Sequence, residues 1–312
     1  MTLALALAAF AAGVVVVVVA TERLLEGLVG IARAARVAPF VAGAVLSGLE
    51  AENIAVGLAA GGRGASEVAL GTAFGGGIFL LCVALGLGAL IAPLRVTLPR
   101  LVVLLVPAAA VVAGLPLAFR VTPRWTGVVL LGAFLLAMGY LVRASRDHEF
   151  LDDEEVREAA EKRRPTAVVA AFTLGGIAAV AVGGELVAYG ADGLVRVGGL
   201  SAGLVGMVVT PFVIEAEEII RQVVPARRGY SDVSAGNAIG TVLYFVLFNL
   251  GLIALITPVA VPEQTRVFDW PFLVVSATVT ALLLLRGGVG RRGGPLLAAL
   301  GLVYVLVHVA IR

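Results

Sequence analysis

One segment occurs twice in this chain, and the duplication constrains the fold more than any other feature of the sequence. Residues 50–93 and 215–258 align without gaps at an offset of 165, with 18 identities over 44 positions. Glu, Arg, Ser, Gly and Pro coincide as well as the apolar residues, so shared apolar composition does not explain the match. The repeat therefore predicts two halves with the same fold.

The composition places both halves in a membrane. Hydrophobic residues make up 60% of the chain and charged residues 14%, and the mean hydropathy is +1.06. Ten apolar runs have lengths suited to transmembrane helices, which need about 20 residues: 3–20, 37–59, 66–92, 101–119, 125–142, 166–190, 199–224, 231–258, 270–285 and 294–311. Long, even runs that contain Gly favour helices over a transmembrane barrel. We predict an all-α integral membrane protein with about ten transmembrane helices.

A hydrophilic stretch separates the two halves. It predicts a first five-helix repeat over 1–143, a charged connector over 144–165 and a second five-helix repeat over 166–312. With the N-terminus outside, six of the 23 Lys and Arg residues fall outside, leaving 17 inside. This asymmetry predicts external N- and C-termini and a cytoplasmic connector. The membrane is expected to be the cell (plasma) membrane. Because five is odd, the repeats are expected to be inverted, as in many secondary transporters.

Each copy of the repeat opens with polar residues inside apolar sequence: Glu50, Glu52 and Asn53 in the first, Glu215, Glu217 and Glu218 in the second. A charged Glu within a membrane helix costs about 2.5–3.5 kcal/mol, which predicts a functional role. Residues three apart share a helix face. Glu50 and Asn53 are thus expected to face one way, whereas Glu52 and Glu217 are expected to face a neighbouring helix or a second aqueous path.

Brought together by pseudo-symmetry, these residues predict an oxygen-rich site for a hard cation, Ca²⁺ or Na⁺, or for a proton. Thr241, in the helix after the second cluster, is a further candidate ligand. Packed carboxylates repel one another, so protons are expected to compete with the metal, and competition at one site is the basis of exchange. The alternative is that the acids form buried pairs with Arg221 or Arg63, or lie at helix ends in water.

At these residues the chain resembles the calcium/cation antiporter superfamily, which includes sodium/calcium and proton/calcium exchangers. The segments 22–33 and 185–196 look like the family's LVxGAxxLA ending of the first helix of each repeat. Residues 211–218 are similar to the family's P-x-V-x-N-A-A-E form. The resemblance covers both halves and implies that Glu218 stands at the family's essential ion-binding glutamate.

The chain also departs from that family pattern. The family has Glu in both repeats where this chain has Asn53 and Glu218, and Glu50 and Glu52 are candidates to substitute. The family's GSNxxN pattern appears as 75–80 and 240–245, which leaves Gly76, Leu80 and Phe245 at family ligand positions. The resemblance therefore implies the fold, whereas ion selectivity and stoichiometry do not carry over.

These observations favour a secondary active cation antiporter, not an enzyme, that exchanges Ca²⁺ or Na⁺ for H⁺ or Na⁺. Its expected partners are inorganic cations and the lipid bilayer, with no resident cofactor and no nucleic acid. The absence of a Gly-rich phosphate loop indicates gradient-driven transport. One alternative is a non-transporting or regulatory membrane protein with the same fold.

A more remote alternative is an intramembrane protease with a Glu-Glu-x-x-x-Arg motif. The segment 217–221 is one residue too short for that motif. Neither His148 nor His308 has an expected partner for such chemistry.

Overall fold

The computed structural model describes residues 2–35, 49–145 and 164–310. The predicted connector, with His148, and the start of the apolar run 37–59 lie largely outside these ranges. The described residues are helical apart from short connections and one isolated bridge between Val121 and Ala260. Eight of the described helices are long and apolar enough to cross a membrane.

The first half contains five helical segments, and a short 3₁₀ turn at Leu115–Ala118 follows the fourth. They are α1 (Leu3–Ala34), α2 (Ala51–Gly62), α3 (Ser66–Ile91), α4 (Arg100–Val112) and α5 (Arg124–Ser145). The second half repeats the order with α6 (Thr166–Arg196), α7 (202–227), α8 (Ser231–Ile256), α9 (Thr265–Leu285) and α10 (Gly293–Ala310). The predicted fold of two inverted five-helix repeats is confirmed.

The repeat is preserved in the backbone of the two central helices. Helices α3 and α8 each contain a π-helical segment, at Phe79–Ala84 and Tyr244–Asn249, which are related by the same offset of 165 as the sequence copies. In both helices 78% of the most apolar window is buried within the protein. These helices therefore form the centre of the molecule, and the other spans surround them.

Helices α1 and α6 pack backbone to backbone because small residues line their contact. A Cβ atom placed on Gly13 would lie 2.6 Å from the Val187 nitrogen, and one on Gly183 would lie 2.9 Å from the Val17 nitrogen. Helix α1 continues beyond the predicted run 3–20 to Ala34. Its charged last third is stabilised by an ion pair of Glu26 with Arg164, 2.6 Å apart.

Helices α3 and α7 join the two repeats through a second glycine contact. A Cβ atom on Gly71 would lie 1.9 Å from the Gly206 carbonyl oxygen, and one on Gly75 would lie 2.4 Å from the Met207 carbonyl oxygen. Only glycine fits this approach, so close helix contact is the role of these two glycines. The contact places the acidic segment of α7 beside the first repeat.

Candidate cation site

The first acidic cluster lies at the start of α2, and the second lies where the regular α-helix of α7 is interrupted. Glu50 caps the N-terminus of α2 with non-helical dihedral angles (φ −98°, ψ 72°). Glu215 begins a 3₁₀ turn, Glu215–Glu217, that divides α7 into the α-helical pieces Thr210–Ile214 and Glu218–Arg227. At such interruptions backbone groups and side chains are released from the helical pattern. Both clusters are thereby free to turn toward the interface between the repeats.

The first contact across this interface joins Asn53 to Glu215. The Asn53 Nδ2 group donates a hydrogen bond to Glu215 Oε1, and both side chains are buried. An ionised carboxylate is only an acceptor, whereas the amide also donates. Asn53 therefore supplies a donor at a position where a Glu, as in the second copy, would add another acceptor.

The second contact across the interface is made by Arg221. Its Nη1 atom lies 3.0 Å from Glu218 Oε1 and 3.5 Å from Glu50 Oε1. Its Nη2 atom lies 3.1 Å from Glu217 Oε1. The alternative that the acids form buried pairs with Arg221 is thus confirmed for Glu50 and Glu218, whereas Glu217 is partly exposed.

The other candidate partner, Arg63, does not take that role. Its guanidinium pairs with Glu185 of α6, with Nη2 2.7 Å from Oε2. The side chains of this pair are 39% and 54% exposed. A surface pair of this kind contributes about 0–1 kcal/mol, so it is a peripheral contact.

Glu52 is buried and lies near Glu50 and, on the neighbouring helix α7, near Glu215. This position is compatible with the expectation that Glu52 faces a neighbouring helix. Glu217, by contrast, is 36% exposed and pairs with Arg221.

Two further residues position Glu218. The Gln222 amide donates to Glu218 Oε2 at 3.4 Å, and the Ser234 hydroxyl donates to Gln222 Oε1 at 2.8 Å. This chain of contacts runs from α8 to α7 and is fully buried. The sequence analysis missed both residues. A signal was available, because Gln222 follows Glu218 at helical spacing and stands inside an apolar run.

Thr241 is buried in α8, and its hydroxyl oxygen has no hydrogen-bond partner among the described residues. Another hydrogen bond between the repeats joins α8 to α3: Asn249 Nδ2 donates to Thr72 Oγ1 at 2.9 Å. Asn249 was missed because the repeat alignment pairs it with Ala84. It is nevertheless the one amide within the apolar stretch 242–256.

Gly76 and Phe245, which the resemblance implies stand at ligand positions of the family, lie against each other. A Cβ atom on Gly76 would lie 3.3 Å from the ring of Phe245. Gly76 and Phe245 thus form a complementary pair in which the aromatic ring occupies the space that a side chain at Gly76 would need.

Within ranges 2–35, 49–145 and 164–310, no three His, Cys, Asp or Glu side chains are arranged to hold a metal ion. The acids are instead joined by the Asn53 amide and the Arg221 guanidinium. Three buried acceptors still lack a hydrogen-bond donor: Glu50 Oε1, Glu52 Oε2 and Asn53 Oδ1. Such acceptors are costly to bury without a hydrogen-bond partner.

His308 has partners that the sequence analysis did not expect. Its Nε2 atom lies 3.1 Å from Asp269 Oδ1, and the Tyr304 hydroxyl donates to the same oxygen at 3.0 Å. All three side chains are buried. They belong to α9 and α10, whereas the acidic clusters belong to α2 and α7.

Proteins of known sequence and structure resemble this chain over nearly its whole length. Inner membrane protein YrbG of Escherichia coli (strain K12) is 28% identical over 292 residues, covering 89% of this chain and 88% of that protein. The candidate antiporter CaxA of Alkalimonas amylolytica is 28% identical over 289 residues, covering 90% of each.

Among solved structures, the sodium-calcium exchanger NCX_Mj with Na⁺ and Sr²⁺ superposes with a TM-score of 0.62 at 21% identity, covering 98% of this chain and 99% of its own. The H⁺/Ca²⁺ exchanger CAX superposes with a TM-score of 0.75 at 16% identity, covering 98% and 87%. These superpositions show that the fold is shared. In addition, the sequence profile of the sodium/calcium exchanger protein family matches residues 5–143 and 168–310, one match in each repeat. The chain therefore belongs to the sodium/calcium exchanger protein family.

Proposed function

We propose that this protein is a secondary active antiporter that exchanges Ca²⁺ or Na⁺ for H⁺ or Na⁺ across the membrane. The observation that carries the proposal is the burial of acids from both repeats in one cluster at the interface between them. The family is one of membrane transporters rather than enzymes. Relatives named as a sodium-calcium exchanger, an H⁺/Ca²⁺ exchanger and a candidate antiporter add support.

The proposed ligands are carboxylate, amide and hydroxyl oxygens, which are the ligands that hard cations prefer. Buried carboxylates are provided by Glu50, Glu52, Glu215 and Glu218, and a buried amide and hydroxyl by Asn53 and Thr241. Glu217, the remaining residue predicted from the sequence, is 36% exposed and pairs with Arg221. The same carboxylate oxygens accept protons. A proton and a metal ion therefore exclude one another at this cluster, and an ion that leaves on one side is replaced by the other on the return.

The inverted repeats supply a means of alternating access. A site at the interface of two oppositely oriented repeats becomes accessible from either side when one group of helices moves against the other. Helices α1 and α6 are the proposed moving gates, because they are the longest helices described and make their mutual contact through glycines. Backbone contacts without interlocking side chains allow two helices to slide.

Flux measurements in proteoliposomes test the proposal. We would impose a pH or Na⁺ gradient and follow Ca²⁺ and Na⁺ with wild-type protein, Glu215→Gln and Glu218→Gln. Both substitutions keep the side-chain shape and remove a buried charge, so both are expected to abolish gradient-driven flux. Glu185→Gln is the matched control, because Glu185 is 54% exposed and pairs with Arg63; its flux is expected to match that of the wild type.

Two outcomes would contradict the proposal. Wild-type protein that is folded but produces no flux under any gradient would favour a non-transporting membrane protein with the same fold. Unchanged flux in both Gln variants would place the transport site elsewhere.

A further inference from the structure

Arg221 breaks the symmetry of the repeats at the centre of the candidate site. The equivalent residue of the first copy is Val56, so the charge is present on one side only. Its guanidinium contacts Glu50 of the first repeat and Glu218 of the second, at 3.5 and 3.0 Å. The arginine side chain is 21% exposed, and both of these carboxylates are buried.

A guanidinium in this position uses the oxygens that a transported cation would need. An arginine side chain stays charged under all conditions in which proteins fold. Its positive charge therefore neutralises part of the acidic cluster permanently, and it repels any second cation that approaches Glu50 and Glu218. Metal binding and the two Arg221 contacts are mutually exclusive at these oxygens.

Glu217 offers the guanidinium another partner. Its Oε1 atom lies 3.1 Å from Arg221 Nη2, and its side chain is 36% exposed. Arg221 and Glu217 lie four residues apart on one helix, a spacing that favours an ion pair. The arginine is thus able to keep this outer contact when it releases the buried carboxylates.

We propose that Arg221 is a tethered cation that competes with the transported cation for Glu50 and Glu218, with Glu217 holding the guanidinium when it is displaced. The inference rests on the proposed function and specifies how the affinity of that same site is set. Arg221 lowers the affinity of the site for the incoming ion. When no ion is bound, Arg221 stabilises the two carboxylates. It acts on the ion by occupying the ligands rather than by coordinating the ion.

Calcium binding to purified full-length protein tests the inference, using calorimetric titration for wild type, Arg221→Gln and Arg63→Gln. Removing the competing charge is expected to lower the Kd for Ca²⁺ about tenfold or more. A tenfold change in Kd corresponds to about 1.4 kcal/mol of binding free energy. Arg63→Gln removes an equal charge from a pair outside the cluster and is expected to bind like the wild type. Equal or weaker binding by Arg221→Gln than by the wild type would overturn the inference.

Thermal unfolding of the same proteins provides a second readout. Without cation, Arg221→Gln is expected to unfold at a lower temperature, because Glu50 and Glu218 lose their positive partner. Added Ca²⁺ is expected to raise its unfolding temperature by more than that of the wild type. An equal shift in both proteins would contradict competition.

Two further variants keep the test decisive if Arg221→Gln does not fold. In Arg221→Lys a single ammonium replaces the forked guanidinium and cannot contact Glu50, Glu217 and Glu218 together, so an intermediate gain in affinity is expected. In the wild-type background, Glu217→Gln is expected to weaken Ca²⁺ binding, because the arginine loses its alternative partner. In the Arg221→Lys background, the same substitution is expected to weaken Ca²⁺ binding less, because Glu217 acts through the arginine. Unchanged affinity in Arg221→Lys, or equal effects of Glu217→Gln in both backgrounds, would overturn the inference.

Failure of the inference is distinguishable from failure of the proposed function. Wild-type flux with no gain in the Arg221 variants contradicts tethered competition alone. If the wild type and every Arg221 variant show no flux and bind neither Ca²⁺ nor Na⁺, the proposed function and the inference are both contradicted. Binding that appears only after Arg221 is replaced supports the inference.

Discussion

At the residue scale, the candidate site depends on one amide and one guanidinium placed among acids. Asn53 and Arg221 both reach from one repeat to a carboxylate of the other. Carboxylates alone would repel across this interface, and donors between them turn repulsion into attraction. The two copies of the repeat have therefore diverged at the positions where identical side chains would be unfavourable.

Asn53→Ala tests this role of the amide. The substitution leaves Glu215 Oε1 buried without its donor, which is expected to lower the free energy of unfolding by about 1–3 kcal/mol. Thermal or denaturant unfolding without added cation measures it. Asn237→Ala, in α8, is the matched control, because the Asn237 side-chain oxygen has no hydrogen-bond partner among the described residues. Equal losses in both variants would contradict a specific role for Asn53.

At the element scale, helix irregularities and glycines decide how the spans meet. The 3₁₀ turn in α7 and the helix start at Glu50 present the acids, and the glycines of α3 bring α7 close enough for them to meet. The repeat-related glycines are not equivalent, because Gly75 lies against α7 whereas its counterpart Gly240 has no atom within 4 Å of an added Cβ.

Gly75→Ala and Gly240→Ala therefore form a matched pair. The Gly75 substitution places a methyl group 2.4 Å from the Met207 carbonyl oxygen, so α3 and α7 must separate. We expect a loss of stability of about 1–3 kcal/mol, as for overpacking of a core, together with reduced transport. Gly240→Ala is expected to be neutral or to stabilise by up to about 1 kcal/mol through helix propensity. The free energies of unfolding of both variants test this prediction. A larger loss of stability in Gly240→Ala than in Gly75→Ala would contradict it.

At the scale of the whole molecule, the loops pair in a way that agrees with the prediction of which connections share one side of the membrane. Thr122 and Val261 form backbone hydrogen bonds that join the α4–α5 and α8–α9 connections, both predicted outside. The backbone N–H groups of Leu94 and Val96 donate to the carbonyl oxygens of Val289 and Gly287, respectively. These hydrogen bonds join the α3–α4 and α9–α10 connections, both predicted inside. Each pair lies on one predicted side of the membrane, as an inverted repeat with five spans per half requires.

Cysteine labelling tests the orientation itself. The single native Cys82 is buried and is expected to stay unlabelled. A membrane-impermeant thiol reagent added from outside is expected to label Arg120→Cys at once but Arg291→Cys only after permeabilisation, because Lys and Arg favour the cytoplasmic side. The reverse pattern of labelling would show that the protein inserts with the opposite orientation.

Much of this fold is predictable because the signals are local or repeated. Apolar runs define the spans without knowledge of their neighbours, since a bilayer requires backbone hydrogen bonds to be satisfied within each helix. The offset of 165 relates α3 to α8 residue for residue, including the π-helical segments. The division at 144–165 stays a prediction, because it lies largely outside the described residues.

The candidate site is less predictable because its contacts join distant parts of the chain. The sequence predicted which acids belong to the candidate site, and their roles as ligands stay predictions. It did not indicate that His308 of α10 meets Asp269 of α9. Asn249 was hidden by the repeat itself, since its counterpart is Ala84.

The sequence by itself determined a membrane protein of two inverted five-helix repeats with an acidic cluster in each, because hydropathy and duplication are properties of the chain alone. Only the tertiary structure decided which charges meet. It paired Arg221, rather than Arg63, with Glu50 and Glu218. The physical reason is that electrostatic energy depends on distances between side chains in space, and those distances are set by helix interruptions and glycine contacts that periodicity does not encode.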